Sequence, residues 1–179
     1  DQYPGTSPRD SALTEQYDGS SWTEVNDLNS NRRSLAGAGI YTAALAIAGY
    51  TTTWLNNVES WNGTNWTEIA EVNVAASYRV GIGTQTNGLV VGGAAPPAGY
   101  RADTEVWNGS SWTEVNDMNV SRIYGSGSKY GTTTAGLAFG GETAPGTAQA
   151  TNESWNGSAW TEVGDLNTAR SSGLGGAGT

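Results

Sequence analysis

The sequence predicts an all-β fold, a β-propeller of about four blades with four antiparallel strands in each, and three observations carry that expectation. A 13-residue wording, WNGSSWTEVNDMN at 107–119, occurs four times with small changes, placing its second Trp at Trp22, Trp66, Trp112 and Trp160. The steps of 44, 46 and 48 residues fit a unit of four short strands, the period of a propeller blade. Glycine is abundant, with 26 residues in 179, as expected of a chain built from strands and turns. The apolar residues come in short runs, none near the roughly 18 residues that suggest a membrane span.

Each repeat divides into four strands. A Gly/Ala-rich first strand is expected at 35–40, 80–83, 125–128 and 173–178, and an apolar second strand at 43–49, 88–93 and 135–141. Two polar-aromatic strands follow, 58–61 and 66–69 in the second copy, joined through Asn62-Gly63. Asn-Gly suits the centre of a two-residue type I′ hairpin, because both residues tolerate positive φ. Asp18-Gly19, Asn108-Gly109 and Asn156-Gly157 repeat the signal.

With these elements placed, the chain resembles kelch-type repeats, which carry a diglycine closing the second strand, an aromatic in the third and a Trp in the fourth. The matching residues are Gly92-Gly93, Gly140-Gly141, the third-strand Tyr17, Trp61, Trp107 and Trp155, and the four fourth-strand Trp named above. Ala48 and Pro4 stand where the first Gly of the pair belongs. The Trp-Asn-Gly-x-x-Trp-Thr-Glu wording is similar to kelch-like arrays of bacteriophage and bacterial surface proteins. The resemblance implies propeller architecture and an extracellular or virion-surface setting.

The register of the ends suggests a single domain over 1–179. Tyr3-Pro4-Gly5 aligns with Ile47-Ala48-Gly49, and Gly178-Thr179 aligns with Gly39-Ile40. A ring would therefore close through one blade that combines 173–179 with 1–25. The competing readings are an excerpt from a longer array, or a ring completed by a second copy.

The chemistry available is narrow. There is no Cys and no His, which removes thiol nucleophiles, the usual zinc sites and His acid/base catalysis. No metal, cofactor or catalytic residue is expected. A net charge of −9 argues against nucleic acid and against anionic membranes. The repeat Trp (Trp22, Trp61, Trp66, Trp107, Trp112, Trp155, Trp160) read as packing between blades rather than as sugar platforms. The Glu pairs Glu15/Glu24, Glu59/Glu68, Glu105/Glu114 and Glu153/Glu162 have the residue type for glycoside hydrolysis, but four equivalent pairs cannot face one cleft, so a structural role is expected. The sets Asp27-x-Asn29…Arg32, Asp117-x-Asn119…Arg122 and Asp165-x-Asn167…Arg170 read as Asp–Arg pairs across the turn into the next blade, with Asn capping the loop. Glu71-x-Asn73…Ala76 is their degenerate copy.

What varies between repeats is the connection after the second strand: 6–10, 50–57, 94–103 and 142–152. Variable loops on a rigid scaffold are where recognition is usually placed. Trp54, the one Trp that the repeat does not require, is a candidate binding anchor with Tyr50, Tyr100 and Arg101, for a glycan or a protein partner. The expected function is a non-enzymatic structural and binding module, a virion or cell-surface propeller in assembly or in host or glycan attachment. Its partners would be proteins of a larger assembly, further copies of itself, or surface glycans. The alternatives are a glycan-processing enzyme on the same scaffold and a purely structural assembly element.

Overall fold

The computed structural model describes residues 10–97, 99–128 and 131–171. Fourteen strands and no helix occur among them. The first blade contributes β1 (Thr14–Tyr17) and β2 (Trp22–Val25). The second contains β3 (Ala36–Ile40), β4 (Ala43–Tyr50), β5 (Trp54–Trp61) and β6 (Trp66–Ile69). The third contains β7 (Val80–Gly83), β8 (Gly88–Ala95), β9 (Gly99–Trp107) and β10 (Trp112–Val115). The fourth contains β11 (Ser126–Gly127), β12 (Gly136–Phe139), β13 (Asn152–Trp155) and β14 (Trp160–Val163). Each sheet is an antiparallel meander in chain order, the arrangement of a four-bladed propeller-like fold. The strand expected at 173–178 and the closure of 173–179 onto 1–25 lie outside the described residues.

The blades cannot bury their apolar faces alone, and the core lies between them. One cluster joins Ile47 and Val58 of the second blade to Val90, Trp107 and Trp112 of the third. Another joins Ile82, Leu89 and Val91 of the third to Ala138, Trp155 and Trp160 of the fourth. Inner strands approach at backbone distance: a Cβ on Gly81 would stand 2.4 Å from the Gly37 carbonyl oxygen. Any side chain there would force the second and third blades apart.

The two Trp of each repeat have different tasks. They sit opposite one another at the end of each outer hairpin, as in Trp107↔Trp112, with ring centroids 5.2 Å apart. The third-strand Trp holds its own blade: Trp61, Trp107 and Trp155 donate their indole N–H to the carbonyls of Tyr41, Gln85 and Thr133, near the turn of the inner hairpin. The fourth-strand Trp reaches the preceding blade. Trp66 and Trp160 donate to the hydroxyls of Thr14 and Thr104, and Trp112 donates to the Ala70 carbonyl.

The hairpin turns differ from the expected two-residue form. The Trp61↔Trp66 pair closes a four-residue loop, in which the Asn62 side-chain oxygen accepts from the amides of Thr64 and Asn65. Asn therefore acts as a turn cap, and only the Gly takes positive φ, 90° at Gly63. Asn108 and Asn156 repeat the cap. In the first blade Asp18 replaces Asn, and the amides of Ser21 and Ser20, with the Ser20 hydroxyl, hold its carboxyl down at about 2.

The segments between blades are clamped from both sides. Backbone bonds tie each to the blade it leaves: Leu28 and Arg32 amides donate to Ala12 and Ser11, and Met118 and Arg122 amides donate to Ala102 and Arg101. Side chains tie it to the blade it enters. Asn29 donates through its amide and side chain to Glu59 at 2.7 and 2.8 Å, and Arg32 donates to the other carboxylate oxygen at 2.9 Å. Asn119 and Arg122 hold Glu153 in the same way, at 2.7, 2.9 and 2.7 Å. The ionic partner of Arg32 and of Arg122 is thus the third-strand Glu, not the expected Asp. Asp27, Asp117 and Asp165 are exposed. The charged groups of the clamp are buried, with Arg32, Arg122, Glu59 and Glu153 at 1–2 % exposure. Burial pulls the Arg32 proton affinity down, and the carboxylates of Glu59 and Glu68 oppose that shift.

The degenerate copy is repaired rather than lost. Asn73 holds Glu105 at 2.7 and 2.8 Å as its counterparts do. Ala76 cannot, and Arg79, three residues on, supplies the guanidinium to Glu105 at 3.1 Å and also pairs with Asp103. Leaving a buried carboxylate without its cation costs about 3 to 5 kcal/mol. Arg79→Ala is therefore expected to destabilise the protein by about that amount. Adding Ala76→Arg, which restores the residue found at this position in the other repeats, should recover most of the loss. Denaturant melts of the single and double variants measure both.

Candidate binding face

Strands alternate in direction, so the segments between blades and the turns joining second to third strands emerge on the same face of the molecule. The segments 50–57 and 94–103, expected as loops, are mostly strand. β4 runs through Tyr50 and β5 begins at Trp54, while β8 runs to Ala95 and β9 begins at Gly99. The cause is a bulge at the diglycine position. Ala48 and Gly92 take positive φ, 57° and 66°, the register shifts there, and pairing resumes beyond it as Tyr50↔Trp54 and Ala94↔Tyr100. The second glycine is needed for a different reason: a Cβ on Gly93 would meet the Ser77 carbonyl oxygen at 2.6 Å.

The four candidate residues therefore sit on paired strands, in two separate groups. Trp54, 37 % exposed, packs edge-on against Tyr50 at 5.1 Å, and the Arg33 guanidinium lies 4.6 Å from the Tyr50 ring centre. Tyr50 donates its hydroxyl to the Thr52 carbonyl. Tyr100 and Arg101 belong to the next blade. Arg101 donates to Asp103 at 2.6 Å, and Asp103 also binds Arg79, so its charge is already engaged with the buried clamp. Among the described residues no aromatic or polar contact joins Trp54 to Tyr100 or Arg101.

The structure adds two residues to this face. Tyr78 and Tyr124 occupy the position of Ser34 in their own repeats, and all three have positive φ, 57°, 55° and 55°. A bulky side chain in that region of backbone space carries strain. The two rings meet edge-on across neighbouring blades at 4.5 Å, and Tyr124 remains 37 % exposed. Burial, the Tyr78 hydroxyl and the nearby Glu142 and Tyr100 raise the Tyr124 pKa above its ordinary value of 10.0. Tyr78 and Tyr124 thus form one aromatic pair, and Trp54 and Tyr50 form another. The signal in the sequence was a Tyr at a register position that otherwise holds Ser.

A mostly apolar cleft of about 250 Å³ opens between the first and second blades, lined by Glu15, Tyr17, Trp22, Val25, Trp61 and Trp66 among others. Among the described residues no group of His, Cys, Asp and Glu is arranged to hold a metal.

No protein-family model matches the chain, and no curated protein matches it. The solved structure titled "Structure of YjhT" is similar to it with a TM-score of 0.69 and 11 % identity, over 92 % of this chain and 68 % of that one. That likeness shows the propeller-like scaffold.

If Tyr124 is retained for contact rather than packing, Tyr124→Gly, which relieves the backbone strain, should change stability by less than about 1 kcal/mol. A core role would cost about 3 to 5 kcal/mol, as for other buried aromatics. Thermal unfolding of the variant distinguishes the two.

Proposed function

We propose that the chain is a non-enzymatic structural and binding module, a kelch-like propeller of a virion or cell surface that contributes to assembly or to host or glycan attachment. The observation that carries this reading is the fate of the carboxylates. Glu59, Glu105 and Glu153, the residues best suited by type to acid/base work, are each buried and bound by an Asn and an Arg. Their chemistry is spent on joining blades. What varies from repeat to repeat is the aromatic content of one face. Tyr and Trp on rigid strands lose little entropy when they pack on a sugar ring or an apolar protein surface.

A glycan array and pull-downs with the intact chain test the proposal. Binding is expected to fall at least about tenfold in Trp54→Ala or in Tyr100→Ala, the loss typical of an aromatic anchor, with unfolding little changed. Unaltered binding in both variants would remove these residues from the site.

One observation favours the glycan-processing alternative. Glu15 is the exposed member of the third-strand set, and it lines the aromatic cleft opposite Glu24 in the strand register. Turnover of glycosidase or sialidase substrates that Glu15→Gln abolishes would establish that reading instead.

A further inference from the structure

Asn-Gly occurs four times in the chain, at Asn62-Gly63, Asn87-Gly88, Asn108-Gly109 and Asn156-Gly157. The dipeptide is chemically fragile, because a glycine without a Cβ leaves its own amide nitrogen open to approach the side-chain carbon of the Asn. The four share a sequence but not a setting. Asn108 is exposed in the outer turn of its blade, and its Oδ1 accepts from the Ser110 amide, the Ser111 amide and the Ser110 hydroxyl, each at 2.9 Å. Asn156 repeats this with Ser158 and Ala159, at 2.9, 2.9 and 3.1 Å. Asn62 has the two amide donors, at 2.9 and 2.8 Å. Among the described residues the amides of Gly63, Gly109 and Gly157 donate to no protein group.

Asn87 stands apart. It is exposed, but among the described residues its side-chain oxygen accepts no hydrogen bond, and its side-chain nitrogen donates to the Thr86 hydroxyl. Gly88 is buried and paired on both sides, with Gly83 and with Trp107.

We infer that Asn108, Asn156 and Asn62 are self-deamidating sites, at which the turn stabilises the reaction that it undergoes. The glycine nitrogen bonds to Cγ of the Asn and gives its proton to water. The bond from Cγ to Nδ2 breaks and ammonia leaves, closing a five-membered succinimide. Water then opens the ring, so that one water is consumed for each ammonia released and nothing is oxidised or reduced. Negative charge develops on Oδ1 during the attack, where two amides and, at Asn108 and Asn156, a hydroxyl already donate. Donors fixed on such an oxygen lower the barrier. At Asn87 that help is missing, and ring closure has to disturb the strand pairing of Gly88.

The first blade shows the product in place. Asp18 occupies the same turn position, and the Ser20 amide, the Ser20 hydroxyl and the Ser21 amide hold its carboxylate at 2.7, 2.8 and 2.9 Å. Its carboxyl, held down at about 2, is ionised at neutral pH and offers no leaving group, so the turn is stable there. Opening of the ring to aspartate therefore keeps the cap. Opening to isoaspartate would lengthen the main chain inside the loop that the Trp107↔Trp112 pair closes. Each conversion adds one negative charge to a chain already at −9. The charges gather on the face opposite the candidate binding face, and the chemistry is independent of any ligand there.

The test incubates the intact chain at neutral pH, folded and in denaturant, and follows each Asn by mass spectrometry of its peptides, with aspartate and isoaspartate separated. In denaturant the four sites should react at similar rates. In the folded chain Asn108 and Asn156 are expected to convert, chiefly to aspartate, at least about tenfold faster than Asn87. Ser110→Ala, which removes one donor from an exposed turn, should slow Asn108 about two- to tenfold and leave Asn156 unchanged. Asn108→Asp should unfold at the same denaturant concentration as the unaltered chain. An absence of conversion in the folded chain, equal folded-state rates at Asn87 and Asn108, or isoaspartate as the main folded-state product would overturn the inference.

Discussion

The buried carboxylate between blades is the constraint on which the rest of the structure depends. A propeller blade is a small twisted sheet with two apolar faces, and nothing in its hydrogen-bonded ladder specifies which surface the next blade meets. Apolar packing alone tolerates sliding. A carboxylate at 0–1 % exposure does not, because its desolvation is offset only when the Asn amide, the Asn side chain and the Arg guanidinium all arrive at their places. The lock at each junction therefore sets position, while the Trp and aliphatic clusters supply most of the attraction.

That division explains what the repeat keeps and where it departs. Arg79 in place of a residue at 76 shows that the requirement is a cation at the carboxylate, reached by a different side chain from a different point of the segment. Its second pairing, to Asp103, extends the buried network outward to Arg101 on the candidate binding face. The strands of that face are held by the bulge at Ala48 and Gly92 and by the return of pairing beyond it. Tyr50, Trp54 and Tyr100 are consequently carried on hydrogen-bonded strand backbone rather than on open loops.

Much of this was legible in the sequence for a definite reason. Period, outer strands and the two Trp of each repeat are local patterns that recur, so β6, β7 and β10 fall where the wording predicts. Other features depend on partners distant in the chain. The pairing of Arg32 with Glu59 rather than Asp27 crosses from one repeat to the next, and spacing within one motif cannot reveal it. The Asn-Gly signal is compatible with a two-residue and a four-residue loop, and only the Trp61↔Trp66 pairing decides. The segments carrying Trp54 and Tyr100 look like loops in the sequence because the residues there differ between repeats, although variation in side chains leaves the backbone ladder intact. The strain at Tyr78 and Tyr124 is not legible in the sequence, because their positive φ belongs to the fold and not to their residue type.

Hydrogen exchange at the amides of Asn29, Asn73 and Asn119 tests the central claim most directly. All three residues are exposed and lie in segments between blades, where amides ordinarily exchange through local fluctuation. Each donates to a buried carboxylate at 2.7 Å. If those carboxylates lock the blades, the three amides should exchange only with global unfolding, as slowly as those of β8. Exchange at the rate of open loop amides would contradict the account and leave apolar packing as the source of the blade arrangement.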